Sequence, residues 1–149
     1  MGSPAELAVH PLNKQIFIAD SNLGALVKLH SDGRPAARTT LALADHPAMQ
    51  LDSGLLFMNS AEGPAVSVFR YEDQAFGQQL DEVLLLPPRA LEEGQVRVHD
   101  FLKAGDFWWA SMINPDSGAA GLYLFDSQWK YLREINVEAE FASGELLPW

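Results

Sequence analysis

QIFIADS, residues Gln15–Ser21, decides the fold, because its form returns twice. GLLFMNS (Gly54–Ser60) and DFWWAS (Asp106–Ser111) have the same shape: a short apolar run ending in a small or polar pair. Each is followed, after a Gly-containing loop, by a second run of the same kind: ALVKLHSDG (Ala25–Gly33), AVSVFRYED (Ala65–Asp73) and GLYLFDSQW (Gly121–Trp129). Short runs rich in β-branched and aromatic residues and bounded by turn residues read as strands. One antiparallel unit is therefore written three times.

Working outward, each unit gains a strand on either side. Inner strands are expected at Glu6–His10, His46–Leu51 and Val96–Leu102, and outer strands at Ala37–Leu43, Leu80–Leu86 and Tyr131–Val137. Ser31-Asp32-Gly33 before Pro35 is a hairpin signal, since Asp-Gly supplies positive φ. Pro35 also suits the first turn of a helix, but Thr39 and Thr40 favour strand for the stretch after it. The units span residues 6–43, 46–86 and 96–137, in one repeat domain covering 1–149. The third is delayed by Pro87–Gln95, where Pro88 and the following Ala-Leu-Glu-Glu predict one helical turn ended by Gly94. Residues 138–149 form a tail whose Phe141, Leu146, Leu147 and Trp149 are too apolar for water, so it is expected to dock.

Four strands in a period of about 40 residues is the rhythm of a β-propeller blade. In that rhythm and in the placing of its turns the chain resembles NHL-like and gluconolactonase-like six-bladed propellers, although no Trp-Asp signature ends a blade. The expected fold is all-β: three four-stranded antiparallel blades, half a propeller. Blades pack face to face, so three in a row leave two apolar faces bare, whereas closed propellers have about 4–8. A two-fold homodimer covers both faces at once and closes a six-bladed ring. Such an obligate interface is expected to bury on the order of 2,000 Å² or more, with the tail crossing to the partner. The competing expectations are a fragment of a longer propeller and a lone array whose tail folds back over one face.

Ten Lys and Arg against 20 Asp and Glu give a net charge of −10. That field repels phosphate backbones and anionic lipid, which argues against nucleic-acid and membrane partners. An apolar content of 48% is ordinary for a globular chain. Without cysteine there is no disulfide framework, thiol nucleophile or thiolate-bound metal, and the cytoplasm and the periplasm suit the chain alike. MGSPAEL at the start lacks the basic segment and apolar core of a secretory signal.

No nucleophile-elbow, phosphate-loop, dinucleotide or His-Glu-x-x-His motif occurs. The candidate ligand-binding residues are three histidines of the inner-strand regions, His10, His46 and His99, with Asp100 beside the last and Asp45 beside the second. They form either a ring of imidazoles lining the channel or ordinary strand-end histidines bonded to backbone, and the second reading carries more weight. Asp20 and Asn59 close matching second strands, with Ala110 as the third counterpart. Resemblance to metal-dependent hydrolases of the gluconolactonase type implies that such oxygens hold Ca²⁺; turn capping explains them more simply. Of the pair Trp108–Trp109, one ring is expected in the core and the other on a neighbouring blade or groove. The function expected is a non-catalytic binding module that needs no cofactor. Its ligand or partner sits at the channel mouth or on the Asn114–Gly121 loop. A metal-dependent hydrolase or lactonase is the alternative.

Overall fold

The computed structural model describes residues 4–85, 96–136 and 138. Three four-stranded antiparallel sheets follow one another, each a meander in chain order. Sheet 1 holds β1 (Pro4–Val9), β2 (Ile16–Asp20), β3 (Ala25–Leu29) and β4 (Pro35–Thr40). Sheet 2 holds β5 (Met49–Asp52), β6 (Leu55–Asn59), β7 (Ala65–Phe69) and β8 (Gln79–Leu84), with a 3₁₀ turn at Asp73–Ala75 before its last strand. Sheet 3 holds β9 (Arg97–Ala104), β10 (Phe107–Ile113), β11 (Ala120–Phe125) and β12 (Tyr131–Ile135). Pro35 begins β4 opposite Leu29, at an outer edge where its missing N–H costs no ladder bond. The helical turn expected after Pro88 and the docking tail lie outside the described residues.

Most strand ends shift by one to three residues from the sequence reading, and two of the shifts bear on the site. The inner strand of sheet 2 begins at Met49, not His46. Pro47 has no N–H to give a ladder, and the Asn59 side chain takes the Ala48 N–H and the His46 carbonyl instead. β10 runs on to Ile113, because Trp108, Ala110 and Met112 continue one buried face. To follow it, β9 bulges: Asp100 pairs with Ser111 and Val98 with Met112, leaving His99 as the extra residue.

Burial shows how the sheets stack. In sheet 2 every residue of β7 is buried, and so are four of the five of β6, so both faces are covered. Phe17, Ala19, Leu26 and Lys28 of sheet 1 face Met49, Leu56, Met58 and Phe69 of sheet 2. Phe57, Val66 and Val68 on the other face of sheet 2 meet Phe101, Trp108, Ala110, Met112, Tyr123 and Phe125 of sheet 3. Trp108 carries this second layer: Phe57 lies 4.9 Å away, and Trp129, in the left-handed region at φ 64°, stacks on it at 4.3 Å. Sheets 1 and 3 bury one face only. Their outward rows, Leu7, Val9, Ile16, Ile18, Val27 and Leu29 on one and Leu102, Phe107, Trp109 and Leu124 on the other, stay partly exposed.

Candidate functional site

The end of the array where β5 and β9 begin and β6 and β10 finish opens into a pocket of about 200 Å³ between sheets 2 and 3. His46, Asp45, Asn59, Ser60, Arg97 and His99 supply its polar wall, and Val98, Ile113 and Pro115 part of its apolar one. Asn59 builds it. Its side chain is buried (4% exposed), and Oδ1 accepts the Ala48 N–H at 2.8 Å. Nδ2 donates to the carbonyls of His46 and Val98, both at 2.9 Å. The amide can sit only this way round, since an N–H must donate and carbonyls must accept. One side chain on β6 thus pins the lead-in to β5 and, from the next sheet, β9.

With their main chains fixed, His46 and the bulged His99 bring their rings edge to face, 5.2 Å between centroids. Both residues are exposed, and among the described residues no protein group hydrogen-bonds to either ring. Their nitrogens are open to a ligand. The Ser60 hydroxyl is engaged with the Glu62 carbonyl at 2.8 Å and Glu82 at 3.1 Å, so it is not poised as a nucleophile. Arg97 reaches across the sheet junction to the Ala61 carbonyl at 3.2 Å.

The other expected site residues lie elsewhere. His10 does not join His46 and His99 in a ring. It follows β1, at the opposite end of the array. Its Nδ1 accepts the N–H groups of Leu12 and Asn13, which makes Nε2 the protonated nitrogen facing the Tyr71 hydroxyl at 2.9 Å. That histidine caps a turn and ties sheet 1 to sheet 2. Asp20 also caps a turn, its Oδ1 taking the Asn22 and Leu23 N–H groups at 3.1 Å each. Asp100 is exposed and accepts the neighbouring Phe101 N–H at 2.8 Å.

The third counterpart of Asp20 is Asn114, not Ala110, because β10 is longer than its sequence suggests. Asn114 is buried and takes the Asp116 and Ser117 N–H groups, as Asp20 does two and three residues on. In sheet 2 the capping oxygen is Ser60 Oγ, which accepts the Glu62 N–H at 3.2 Å and leaves Asn59 free for its cross-sheet role. The signal was in the sequence: Asp20 and Asn114 are each followed four residues later by Gly-Ala. Of the tryptophan pair, Trp108 is the core residue and Trp109 lies half-buried on the outward face of sheet 3.

At the opposite end, Lys28 (2% exposed) donates Nζ to the Tyr71 carbonyl and lies 5.3 Å from the Phe76 ring centroid. Lys103 of β9 pairs with Asp52 of β5 at 2.9 Å. The shifted titrations are away from the pocket. Burial, helped by Glu134 and Tyr131, pushes the Tyr123 phenol up to about 12. The Arg34 N–H and guanidinium hold Asp32 below the usual carboxylate value. Among the described residues no three His, Asp or Glu side chains converge as a metal site.

Among solved structures the chain is similar to hydrazine synthase from Kuenenia stuttgartiensis (TM-score 0.62, 13% identity), covering 92% of this chain and 36% of that one. A Dos1 propeller matches over 91% of this chain and 36% of its own, at TM-score 0.58 and 17% identity. A luciferin-regenerating enzyme matches over 90% and 46%, at TM-score 0.61 and 9% identity. The fold is that of β-propeller blades. Sheets 1, 2 and 3 are the blades, β1, β5 and β9 their inner strands, and the pocket lies between blades 2 and 3. The chain spans between a third and a half of the length of these three propeller proteins. No family model and no curated protein sequence matches it.

Proposed function

We propose that the chain is a non-catalytic binding module: three blades of a six-bladed ring of the NHL-like or gluconolactonase-like kind, with a small polar ligand held at the His46–His99 pocket. The observation that carries this reading is the contrast among the histidines. His10 spends both ring nitrogens on the fold, whereas His46 and His99 stand together with theirs unbonded over a buried amide that fixes their backbones. The volume is below the ~300–1,000 Å³ usual for drug-sized ligands, which suits a compound of few heavy atoms. Donors and acceptors from His46, His99 and Asp45 surround it above an apolar wall of Val98, Ile113 and Pro115. The Asn114–Gly121 loop reaches the same opening through Pro115.

A hydrolase with Ca²⁺ on Asp20 and Asn59 has less support. Both Oδ1 atoms already accept main-chain N–H groups, and Asp20 is not in the wall of the pocket. Imidazole NMR tests the proposal. Acetate, citrate, phosphate, glucose and Ca²⁺ are titrated separately, and the ring signals of His46, His99 and His10 are followed. The expected result is that at least one of the four organic or phosphate probes moves His46 and His99 together and leaves His10 still, and that His99→Ala abolishes the effect. Silence with all five, or equal movement of His10, would refute the pocket. A Ca²⁺ response lost on Asp20→Ala would favour the hydrolase.

A further inference from the structure

We infer that the missing half of the ring is a second copy of this chain, joined head to tail, with blade 3 of each copy packed on blade 1 of the other. The inference rests on the propeller reading but not on the pocket, so the two can fail separately.

The two outward faces are built as interior surfaces. Leu7, Ile18 and Val27 share one face of sheet 1 by register, with Val9, Ile16 and Leu29 in the next row. Leu102, Trp109 and Leu124 share one face of sheet 3, with Phe107 beside them. Yet Leu7 is 62% exposed, Val9 53%, Leu102 49% and Phe107 44%. The chain has twice as many acids as bases, but these rows hold few charges: Asp20 closes the β2 row and caps its turn, Asp100 lies at the inner edge of the other face, and Arg38 and Arg133 stand at the outer edges. Blade 2 shows what such a surface becomes when covered, since its two central strands are buried on both sides.

Area and count favour another copy over an unrelated occupant. A four-stranded face about 19 Å wide and 16 Å long has a flat area of about 300 Å². Two junctions, each hiding two faces, remove about 1,200 Å² of flat area and more of accessible surface, which meets the range of specific interfaces. The chain also covers 46% of the luciferin-regenerating enzyme, so two copies have about the length of that protein. A head-to-tail contact through two-fold symmetry closes after two chains and leaves no blade bare. Trp109, a large ring at the middle of the blade 3 face, is placed to be its anchor.

Sedimentation and light scattering of the 149-residue chain at about 10 μM test this. The expected mass is twice the 16.4 kDa of one chain. Leu7→Asp on blade 1 and Leu102→Asp on blade 3 should each give single chains. Both sites are about half exposed in one copy, so circular dichroism should be unchanged. Because every junction uses one face of each kind, either substitution alone breaks both junctions. A wild-type monomer would overturn the inference, whether a fold-back or a further protein covers the faces. So would a dimer that survives one of the two substitutions, or open-ended assemblies larger than two chains. The wild-type mass is read independently, so the inference stays testable if a variant fails to fold.

Discussion

Replacing Asn59 by alanine removes the side chain that joins blade 2 to blade 3. Four main-chain groups lose a partner: the Ala48 N–H and the carbonyls of Val98, His46 and, at 3.5 Å, His99. Ala48 and Val98 are buried at 3% and 2% exposure, so water cannot replace the amide there. An orphaned buried polar group costs about 1–3 kcal/mol. His46 and His99 are exposed, so their carbonyls regain water at little cost. The expected loss for Asn59→Ala is therefore about 2–4 kcal/mol, from two such groups near the lower half of that range. Urea unfolding at one fixed protein concentration measures it, as a fall of about 1–3 M in midpoint at unchanged slope. Asn59→Asp adds a signed test. A carboxylate facing two carbonyls in a buried site has its folded pKa raised above the unfolded value of about 3.9. Its stability is then fully present below that value and lost as pH rises through the folded pKa. The variant should approach wild type near pH 4 and fall furthest behind at pH 7. A loss under about 0.5 kcal/mol for the alanine variant, or an aspartate variant more stable at pH 7 than at pH 4, would refute the role given to Asn59.

Further outcomes follow from the packing of blade 3. Trp108→Ala should cost about 3–5 kcal/mol in the same urea assay, since it empties the contact shared by Phe57, Phe101 and Trp129. Gly121→Ala should cost about 1–3 kcal/mol. Its new Cβ would meet the rigid, buried Tyr123 ring, 2.2 Å from the hydroxyl and 2.5 Å from Cζ. Burial pushes the Tyr123 phenol up to about 12 from 10.0 in the open chain, so its contribution is complete below pH 10 and disappears as pH rises towards 12. Between those limits wild type should lose stability that Tyr123→Phe keeps, read as a difference between their unfolding curves that is absent at pH 8.

The strands were legible because local signals agreed. The recurring runs Gln15–Ser21, Gly54–Ser60 and Asp106–Ser111 mark the second strand of each blade, and Ser31-Asp32-Gly33 marks the hairpin between β3 and β4. The three-blade count followed, and with it the apolar end faces. The site was legible only in part. His46 and His99 were candidates, but nothing local says that a bulge at His99 turns it towards His46, because a bulge is a property of two strands in register. Asn59 was read as a cap since its partners lie 11 to 40 residues away along the chain. His10 looked like its fellows but sits in a Pro-Leu-Asn turn whose N–H groups claim its ring. Asn114 reads as the start of a loop and Ala110 as the strand end, because the length of β10 depends on packing against blade 2.

Small-angle X-ray scattering of the chain in dilute solution tests the central claim, that blades 1 and 3 are made to be covered by another copy. For a closed compact ring of two 149-residue chains the account predicts a radius of gyration of about 19 Å. A value near 15 Å, that of one compact chain, would contradict it.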